Sequence, residues 1–121
     1  MPELTITSPL GPLTLVEHND ALTNLLWRNT RSNNRTQLLS AAKEELDNYF
    51  KGKLTRFSVP LTVAGTQFQQ TVCKSIAEIP YGKTSTYGEI SKLLQSSPRA
   101  IGNACGKNPL PIIIPCHRII G

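Results

Sequence analysis

Apolar and polar residues alternate along the first part of the chain. The alternation runs through "LTITSPLGPLTLVEHNDALTNLLW", residues 4–27, and is interrupted at "SPLGP" and "EHND". Alternation is typical of half-buried strands, and Gly, Pro, Asn and Asp are typical of the turns between them. The pattern therefore predicts a short antiparallel meander of two or three strands. We expect Trp27 to lie in the core and His18 to lie in a solvated turn.

The apolar spacing changes to that of a helix after the polar loop "RNTRSNNRT". In "TQLLSAAKEELDNYFKGK", residues 36–53, apolar residues recur at helical intervals, and Gly52 is suited to end the helix. The apolar positions are Leu39, Ala42, Leu46, Tyr49 and Phe50. A small sheet followed by a helix predicts an α/β domain over residues 1–57, and we find no candidate chemistry in it.

Residues 58–121 are predicted to form a second, mostly helical domain, entered through the extended segment "RFSVPLTVAG". Three helices are predicted after this segment, since each is preceded by a residue that commonly caps a helix. In the third, a proline also occupies the first helical position. These signals are Thr66 with Gln69, Thr86 with Glu89, and Ser97 with Pro98. The residues expected to face inward are Phe68, Val72, Ile76 and Ile79 in the first helix, and Ile90, Leu93 and Leu94 in the second.

The second and third of these helices are close enough in sequence to form a helix-turn-helix, whose second helix commonly contacts DNA. The third helix carries Arg99, Asn103 and Lys107, but its other positions are small. The small residues are Ala100, Gly102, Ala104 and Gly106, and Gly106 is expected to end the helix in a left-handed conformation. Small side chains allow close approach to a nucleic-acid groove or tight packing on a neighbouring helix, and both interpretations stay open on this evidence.

Length and composition limit the remaining classes of protein. The chain has 121 residues and 39% hydrophobic residues, enough for one ordinary domain or two very small ones. No window is apolar enough for a transmembrane helix, and "MPELTITSPL" does not have the organisation of a secretory signal. The three cysteines are odd in number and scattered, which favours free thiols in a reducing cytoplasm over disulfides. If such a cytoplasmic protein is bacterial and binds DNA, we expect it to be associated with the nucleoid.

Positive charge is concentrated in the second half of the chain. Residues 1–60 carry seven Lys/Arg and six Asp/Glu, whereas residues 61–121 carry six Lys/Arg and two Asp/Glu. The second half is therefore the electropositive one, and polyanions are its natural partners.

The closing segment "NPLPIIIPCHRIIG" places Cys116 directly before His117 and Arg118, and after three isoleucines predicted to form a buried strand. A cysteine is a nucleophile only as its thiolate, which basic neighbours favour. The residues required by a zinc deaminase, a structural zinc site or a cysteine protease are not found at the necessary spacing. A core cysteine beside a surface histidine remains the alternative on this local evidence.

The wider context of that segment is more specific. "RAIG", then "NPLPIII" and "PCHR", together with the upstream "GTQFQQTVCKSIAEIPYGKTSTYGEI", resemble the O6-alkylguanine-DNA alkyltransferase family over residues 65–121. "SPLGPLTL" resembles its variable N-terminal domain more loosely. The resemblance implies an α/β domain followed by a helical, winged-helix-like domain with a helix-turn-helix. It also implies DNA repair, in which an alkyl group passes from O6-alkylguanine, and from O4-alkylthymine, of a flipped-out base to the protein.

The resemblance assigns a role to each matching residue. Cys116 would accept the alkyl group, His117 would take its proton through a water, and Asn108 would form the hinge of the active-site wall. Tyr87 would rotate the phosphate and donate a proton to the leaving base, and Arg99 would fill the place of the flipped nucleotide. The implied DNA contacts are Thr86, Arg99, Ala100, Gly102, Asn103, Lys107 and Arg118.

The resemblance also implies how the protein works as a whole. We expect a monomer that binds double-stranded DNA in the minor groove, reacts once, and uses neither a cofactor nor a metal. Members of the family continue beyond the position of Gly121 with a glutamate that orients the histidine, a loop over the alkyl group and a closing helix. We therefore expect residues 58–121 to be an alkyltransferase domain that is truncated at its C-terminus. The alternatives are a truncated form with impaired activity, a non-catalytic binder of alkylated DNA and a plain helix-turn-helix regulator.

Overall fold

The computed structural model describes residues 1–121, which divide into two compact units, Met1–Thr62 and Val63–Gly121. The first unit contains strands β1 (Glu3–Ser8), β2 (Gly11–His18) and β3 (Ala21–Leu26) and helix α1 (Gln37–Phe50). The second contains α2 (Gln67–Ala77), β4 (Ser85–Thr86), α3 (Tyr87–Leu93), α4 (Pro98–Gly106), a 3-10 helix (Cys116–Arg118) and β5 (Ile119–Ile120). The predicted fold class, a small antiparallel sheet with a helix followed by a helical domain, is confirmed.

The three strands of the first unit form one antiparallel sheet in the order β1-β2-β3. Leu4 pairs with Leu15 and Ile6 with Leu13, so apolar residues of neighbouring strands lie side by side on the same face. Helix α1 contacts all three strands, and Leu39, Ala42 and Leu46 of this helix are buried. Thr36 caps the N-terminus of the helix, and its hydroxyl accepts a hydrogen bond from Leu39 N.

Polar groups of β1 and β2 are also covered by another part of the chain. Thr14 is fully buried, and its hydroxyl donates to the Arg28 carbonyl at 2.8 Å and lies 2.9 Å from the Thr5 hydroxyl. The chain after β3 therefore folds back over β1 and β2, where Thr5 N also donates to the Ser32 carbonyl. These hydrogen bonds compensate the burial of polar groups that would otherwise oppose folding.

Helices α2, α3 and α4 begin at the predicted capping residues. Thr66, Thr86 and Ser97 accept hydrogen bonds from Gln69 N, Glu89 N and Ala100 N. The core of the unit forms around Val72, Cys73 and Ile76 of α2, together with residues of α3, α4 and the closing segment. The latter are Ile90, Ile101, Ala104, Leu110, Ile112, Ile113, Ile114 and Ile119. None of the helices has the length and hydrophobicity needed to span a membrane.

Three predicted core positions are wrong. Trp27 is 56% exposed because β3 ends one residue earlier and the chain leaves the sheet there. Leu93 is 71% exposed because it is the last residue of the short helix α3, in which Ile90 and Ser91 face inward instead. Phe68, in the first turn of α2, is 38% exposed.

The closing segment also differs from the prediction. Ile112, Ile113 and Ile114 are buried as expected, but they form a turn rather than a strand, with Ile114 N donating to the Leu110 carbonyl at 2.8 Å. Ile112 has a φ of 74°, which a β-branched residue rarely adopts, so the turn is strained. Gly106 is the last residue of α4 and does not have the predicted positive φ.

Candidate active site and DNA-binding surface

Cys116 is the first residue of the 3-10 helix that follows the strained turn, and its side chain is half-buried. The Asn108 side-chain amide donates to the Cys116 sulfur at 3.1 Å. The Cys116 thiol is in turn directed at the Cys105 carbonyl, with 3.8 Å between the sulfur and the oxygen. The sulfur is therefore held between the end of α4 and the turn that leads to it.

Asn108 connects the parts of this site. Besides contacting the sulfur, its Nδ2 donates to the Ile114 carbonyl at 2.9 Å, and its Oδ1 accepts from Leu110 N at 2.9 Å. Its own backbone N–H donates to the Cys105 carbonyl at 3.1 Å. One side chain thus fixes both ends of the turn and the position of the Cys116 sulfur, and it supplies the partner of the buried Leu110 N–H.

Burial raises the pKa of the Cys116 thiol, because an apolar environment disfavours the thiolate. Hydrogen bonds from Asn108 and from the Cys105 thiol act in the opposite direction, since both donate to the charged form, but burial dominates. Cys116 is therefore mainly a thiol at neutral pH, and it must lose a proton before or during any attack on an electrophile.

His117 follows the nucleophile on the exposed side of the 3-10 helix. Partial desolvation lowers the pKa of its imidazole, and the positive charge of Arg118 lowers it further. The imidazole is consequently neutral at physiological pH. A neutral imidazole has a free nitrogen lone pair, so it can accept a proton from a thiol directly or through a water.

Arg118 is held by the loop that follows α2. Its Nη1 donates to the Ile79 carbonyl at 2.8 Å, and its guanidinium lies 5.5 Å from the centre of the Tyr81 ring. β5, directly after the 3-10 helix, pairs in parallel with β4 in the same region. Arg118 therefore helps attach the nucleophile segment to the rest of the unit, and its predicted contact with DNA stays a prediction.

Helices α3 and α4 bring Tyr87 and Gly102 together. A Cβ atom at Gly102 would lie 3.9 Å from Cε1 of the Tyr87 ring, so a methyl group at this position would be in van der Waals contact with the ring. Thr86, next to Tyr87, uses its hydroxyl to cap α3. Gly102 is thus a packing position on α3 as well as a small residue on a candidate DNA-contacting helix.

The polar residues of α4 and its C-cap face solvent. Arg99 lies in the first turn, Asn103 in the middle and Lys107 at the C-cap, and all three are exposed. Ala100 is half-buried. The helix therefore presents positive charge on an otherwise small-residue surface, as required for an element that approaches a phosphate backbone closely.

Two residues near the site were not predicted to take part in it. The Gln69 side chain does not complete the predicted capping box but donates to the Lys107 carbonyl at 3.1 Å, which ties α2 to the end of α4. Cys105 supplies both a carbonyl and a thiol to the surroundings of Cys116. Neither contact has a local sequence signal, because each joins residues that are far apart in the chain.

Both units match models of one family. Residues 3–63 match the ribonuclease-like domain of 6-O-methylguanine DNA methyltransferase, and residues 67–121 match the DNA-binding domain of the same protein. The two matches together cover almost the whole chain.

Individual relatives agree with the family models. The methylated-DNA–protein-cysteine methyltransferase of Mycobacterium tuberculosis (strain H37Rv) is 47% identical over 97% of this chain and 76% of its own length. The constitutive enzyme of the same name from Bacillus subtilis is 39% identical over 97% of this chain and 79% of its own length. The crystal structure of Mycobacterium tuberculosis OGT in complex with DNA superposes with a TM-score of 0.89, at 45% identity, and the match covers 100% of this chain and 79% of that one. Both units match this family, and the chain therefore belongs to the 6-O-methylguanine DNA methyltransferase family.

Proposed function

We propose that the protein repairs DNA by transferring an alkyl group from the O6 position of guanine, and from O4-alkylthymine, to the sulfur of Cys116. The observation that carries this proposal is the position of the Cys116 sulfur, which Asn108 holds at the C-terminal end of α4 in a unit that matches a DNA-binding domain. The family to which the chain belongs supports alkyl transfer as the reaction.

The transfer is an in-line displacement at carbon. The Cys116 sulfur attacks the alkyl carbon, the C–O bond to the base breaks, and the guanine leaves with a proton from the protein. His117 takes the thiol proton through a water, and Tyr87 donates to the leaving base. The product is a thioether, which thiol reductants do not cleave, so each molecule reacts once and is not regenerated. No cofactor is required.

The alkyl carbon lies inside the base stack, so the nucleotide must be rotated out of the duplex at a cost of about a few kcal/mol. Arg99, exposed at the start of α4, enters the gap and offsets part of that cost. The Tyr87 ring crowds the phosphate and favours the rotated state. Ala100 and Gly102 allow α4 to lie in the minor groove.

Minor-groove binding suits a protein that must examine every sequence. The minor groove carries a degenerate pattern of donors and acceptors, and phosphate contacts carry no sequence information. Lys107 and Asn103 would supply such contacts from the exposed side of α4, and Thr86 and Arg118 are the other predicted contacts of this unit. A monomer is sufficient for this arrangement, since all the proposed groups belong to one unit.

The test is stoichiometric labelling of Cys116. The reduced protein is incubated with O6-benzylguanine, and separately with a duplex containing O6-methylguanine, and its intact mass and modified peptide are determined. We expect one benzyl or methyl group per molecule, on Cys116, and none on a Cys116→Ser variant. The matched control, Cys73→Ala, removes another thiol of the same unit and should be labelled like the wild type.

The same experiment separates repair from simple binding. If the wild type binds the O6-methylguanine duplex more tightly than unmodified DNA but gains no mass with either substrate, the protein is a non-catalytic binder and the proposal of transfer is wrong.

A further inference from the structure

Cys105 is the closest other thiol to the proposed alkyl acceptor. Its carbonyl oxygen lies 3.8 Å from the Cys116 sulfur, and each of the two thiols shifts the pKa of the other. Both side chains are half-buried rather than enclosed, so small solutes can reach them. The third cysteine, Cys73, is 2% exposed within α2, and its sulfur is enclosed by the core.

The two thiols are not equivalent. Burial raises the pKa of Cys105 to about 12, and the neighbouring Cys116 contributes to the increase. Cys116 receives hydrogen bonds from Asn108 and Cys105 that oppose the effect of burial on its own pKa. Cys116 is therefore the thiol that ionises first and the one that an oxidant attacks, because oxidation by peroxide requires the thiolate. Cys105 is placed to act second.

We propose that Cys105 and Cys116 form an intramolecular disulfide when the protein meets hydrogen peroxide, which converts the alkyl acceptor into a reversibly protected form. In the first step the Cys116 thiolate attacks one peroxide oxygen, giving a sulfenic acid and, after proton transfer, water. In the second step the Cys105 sulfur attacks the Cys116 sulfur and displaces the hydroxyl group as a second water. Two thiols are oxidised by two electrons in total and one peroxide is reduced.

Both residues lie at the ends of secondary-structure elements. Cys105 is the next-to-last residue of α4 and Gly106 follows it, whereas Cys116 begins a 3-10 helix. Helix ends unfold locally at lower cost than helix centres. To form a disulfide, the two sulfurs must approach to about 2.05 Å. This requires movement of the ends of two secondary-structure elements rather than of the core.

The consequence concerns irreversible damage. Without a second thiol, a cysteine sulfenic acid is oxidised further to a sulfinic acid, which thiol reductants do not restore. With Cys105 nearby, oxidised Cys116 is trapped as a disulfide and recovers on reduction. Formation of the disulfide is independent of the proposed function, whereas the benefit of protecting an acceptor rests on it.

The experiment compares the wild type, Cys105→Ser and Cys73→Ala after treatment with hydrogen peroxide. Remaining free thiols are blocked in denaturant, and disulfide-linked peptides are mapped by mass spectrometry. We expect the wild type to lose two of its three free thiols and to give a Cys105–Cys116 linked peptide. Cys73→Ala should give the same peptide. Cys105→Ser should give none, and its Cys116 should carry sulfinic acid.

A second measurement follows recovery. After peroxide and then dithiothreitol, wild type and Cys73→Ala should regain labelling by O6-benzylguanine, while Cys105→Ser should lose it permanently. The proposal is overturned if the linked peptide is not formed in the wild type, or if Cys105→Ser recovers as completely as the wild type. Because the linked peptide is scored without any alkyl donor, failure of alkyl transfer would not be mistaken for failure of disulfide formation.

Discussion

Replacement of Asn108 by alanine tests whether one side chain holds the nucleophile and its turn together. The substitution removes the hydrogen bonds to the Cys116 sulfur and the Ile114 carbonyl, together with the one accepted from Leu110 N. The Ile114 carbonyl keeps the hydrogen bond from Cys116 N, but Leu110 is fully buried and its N–H loses the Asn108 acceptor where water has little access.

The magnitude follows from these contacts. A hydrogen bond contributes about 0.5–1.5 kcal/mol net, and leaving a buried partner unsatisfied costs about 1–3 kcal/mol. Since Asn108→Ala removes three such contacts, we expect its free energy of unfolding to fall by about 2–4 kcal/mol. A loss of that size is a large part of the stability of a domain but leaves most molecules folded under native conditions.

Asn108→Asp is the matched variant. It keeps the acceptor for Leu110 N but not the donor for Ile114 or Cys116, and it adds a negative charge beside the sulfur. Both variants should raise the pKa of Cys116 further above its ordinary value, Asp more than Ala, because each removes a donor to the thiolate.

Two measurements check these expectations: urea unfolding, and the pH dependence of Cys116 alkylation by iodoacetamide. Each variant should need a higher pH than the wild type to reach half of its maximal alkylation rate. If Asn108→Ala has wild-type stability and an unchanged pH profile, the reasoning from these hydrogen bonds is refuted.

Two further predictions concern DNA and pH. Arg99→Ala should slow repair of an O6-methylguanine duplex by about 10–100-fold and should leave the reaction with free O6-benzylguanine nearly unchanged. The reason is that Arg99 compensates part of the free-energy cost of base flipping, and each 1.4 kcal/mol of lost compensation slows the reaction about tenfold. Arg99→Lys is the charge-preserving control, and equal losses with both substrates would contradict the role of Arg99 in the duplex. Burial raises the pKa of Cys116, so the rate of its alkylation by iodoacetamide should still be rising as pH passes 9, where an ordinary thiol is already levelling off. A plateau below pH 8 would show that the thiolate is more stable than the site geometry implies.

The sequence predicted most of the local structure of this chain. Capping residues placed the starts of α2, α3 and α4, because a Ser or Thr that caps a helix acts on backbone groups only two or three positions away. The apolar spacing of α1 placed its buried face for the same reason. Signals of this kind depend on neighbours in the chain, so a single sequence contains them.

The wrong predictions concern features that do not depend on neighbours in the chain. Trp27 and Leu93 are large apolar residues at the ends of elements, where burial depends on which way the chain turns next. Ile112 to Ile114 were expected to form a strand from their composition, but no strand is placed to pair with them, and Asn108 instead closes them into a turn. The roles of Gln69 and Cys105 depend on contacts between distant residues, which neither spacing nor composition reports.

Asn108 connects the end of α4 to the Cys116 sulfur. Helix α4 ends at Gly106, the exposed Lys107 follows it, and the next residue is the one that donates to Cys116. Gln69 holds the Lys107 carbonyl from α2, so the end of α4 is fixed on one side by a structural helix and on the other by the nucleophile turn. A shift of α4 would therefore also move Asn108, and with it the donor that opposes the effect of burial on the Cys116 thiolate. The strained φ of Ile112 lies inside the same turn, so a shift of α4 would act on a segment whose backbone is already strained.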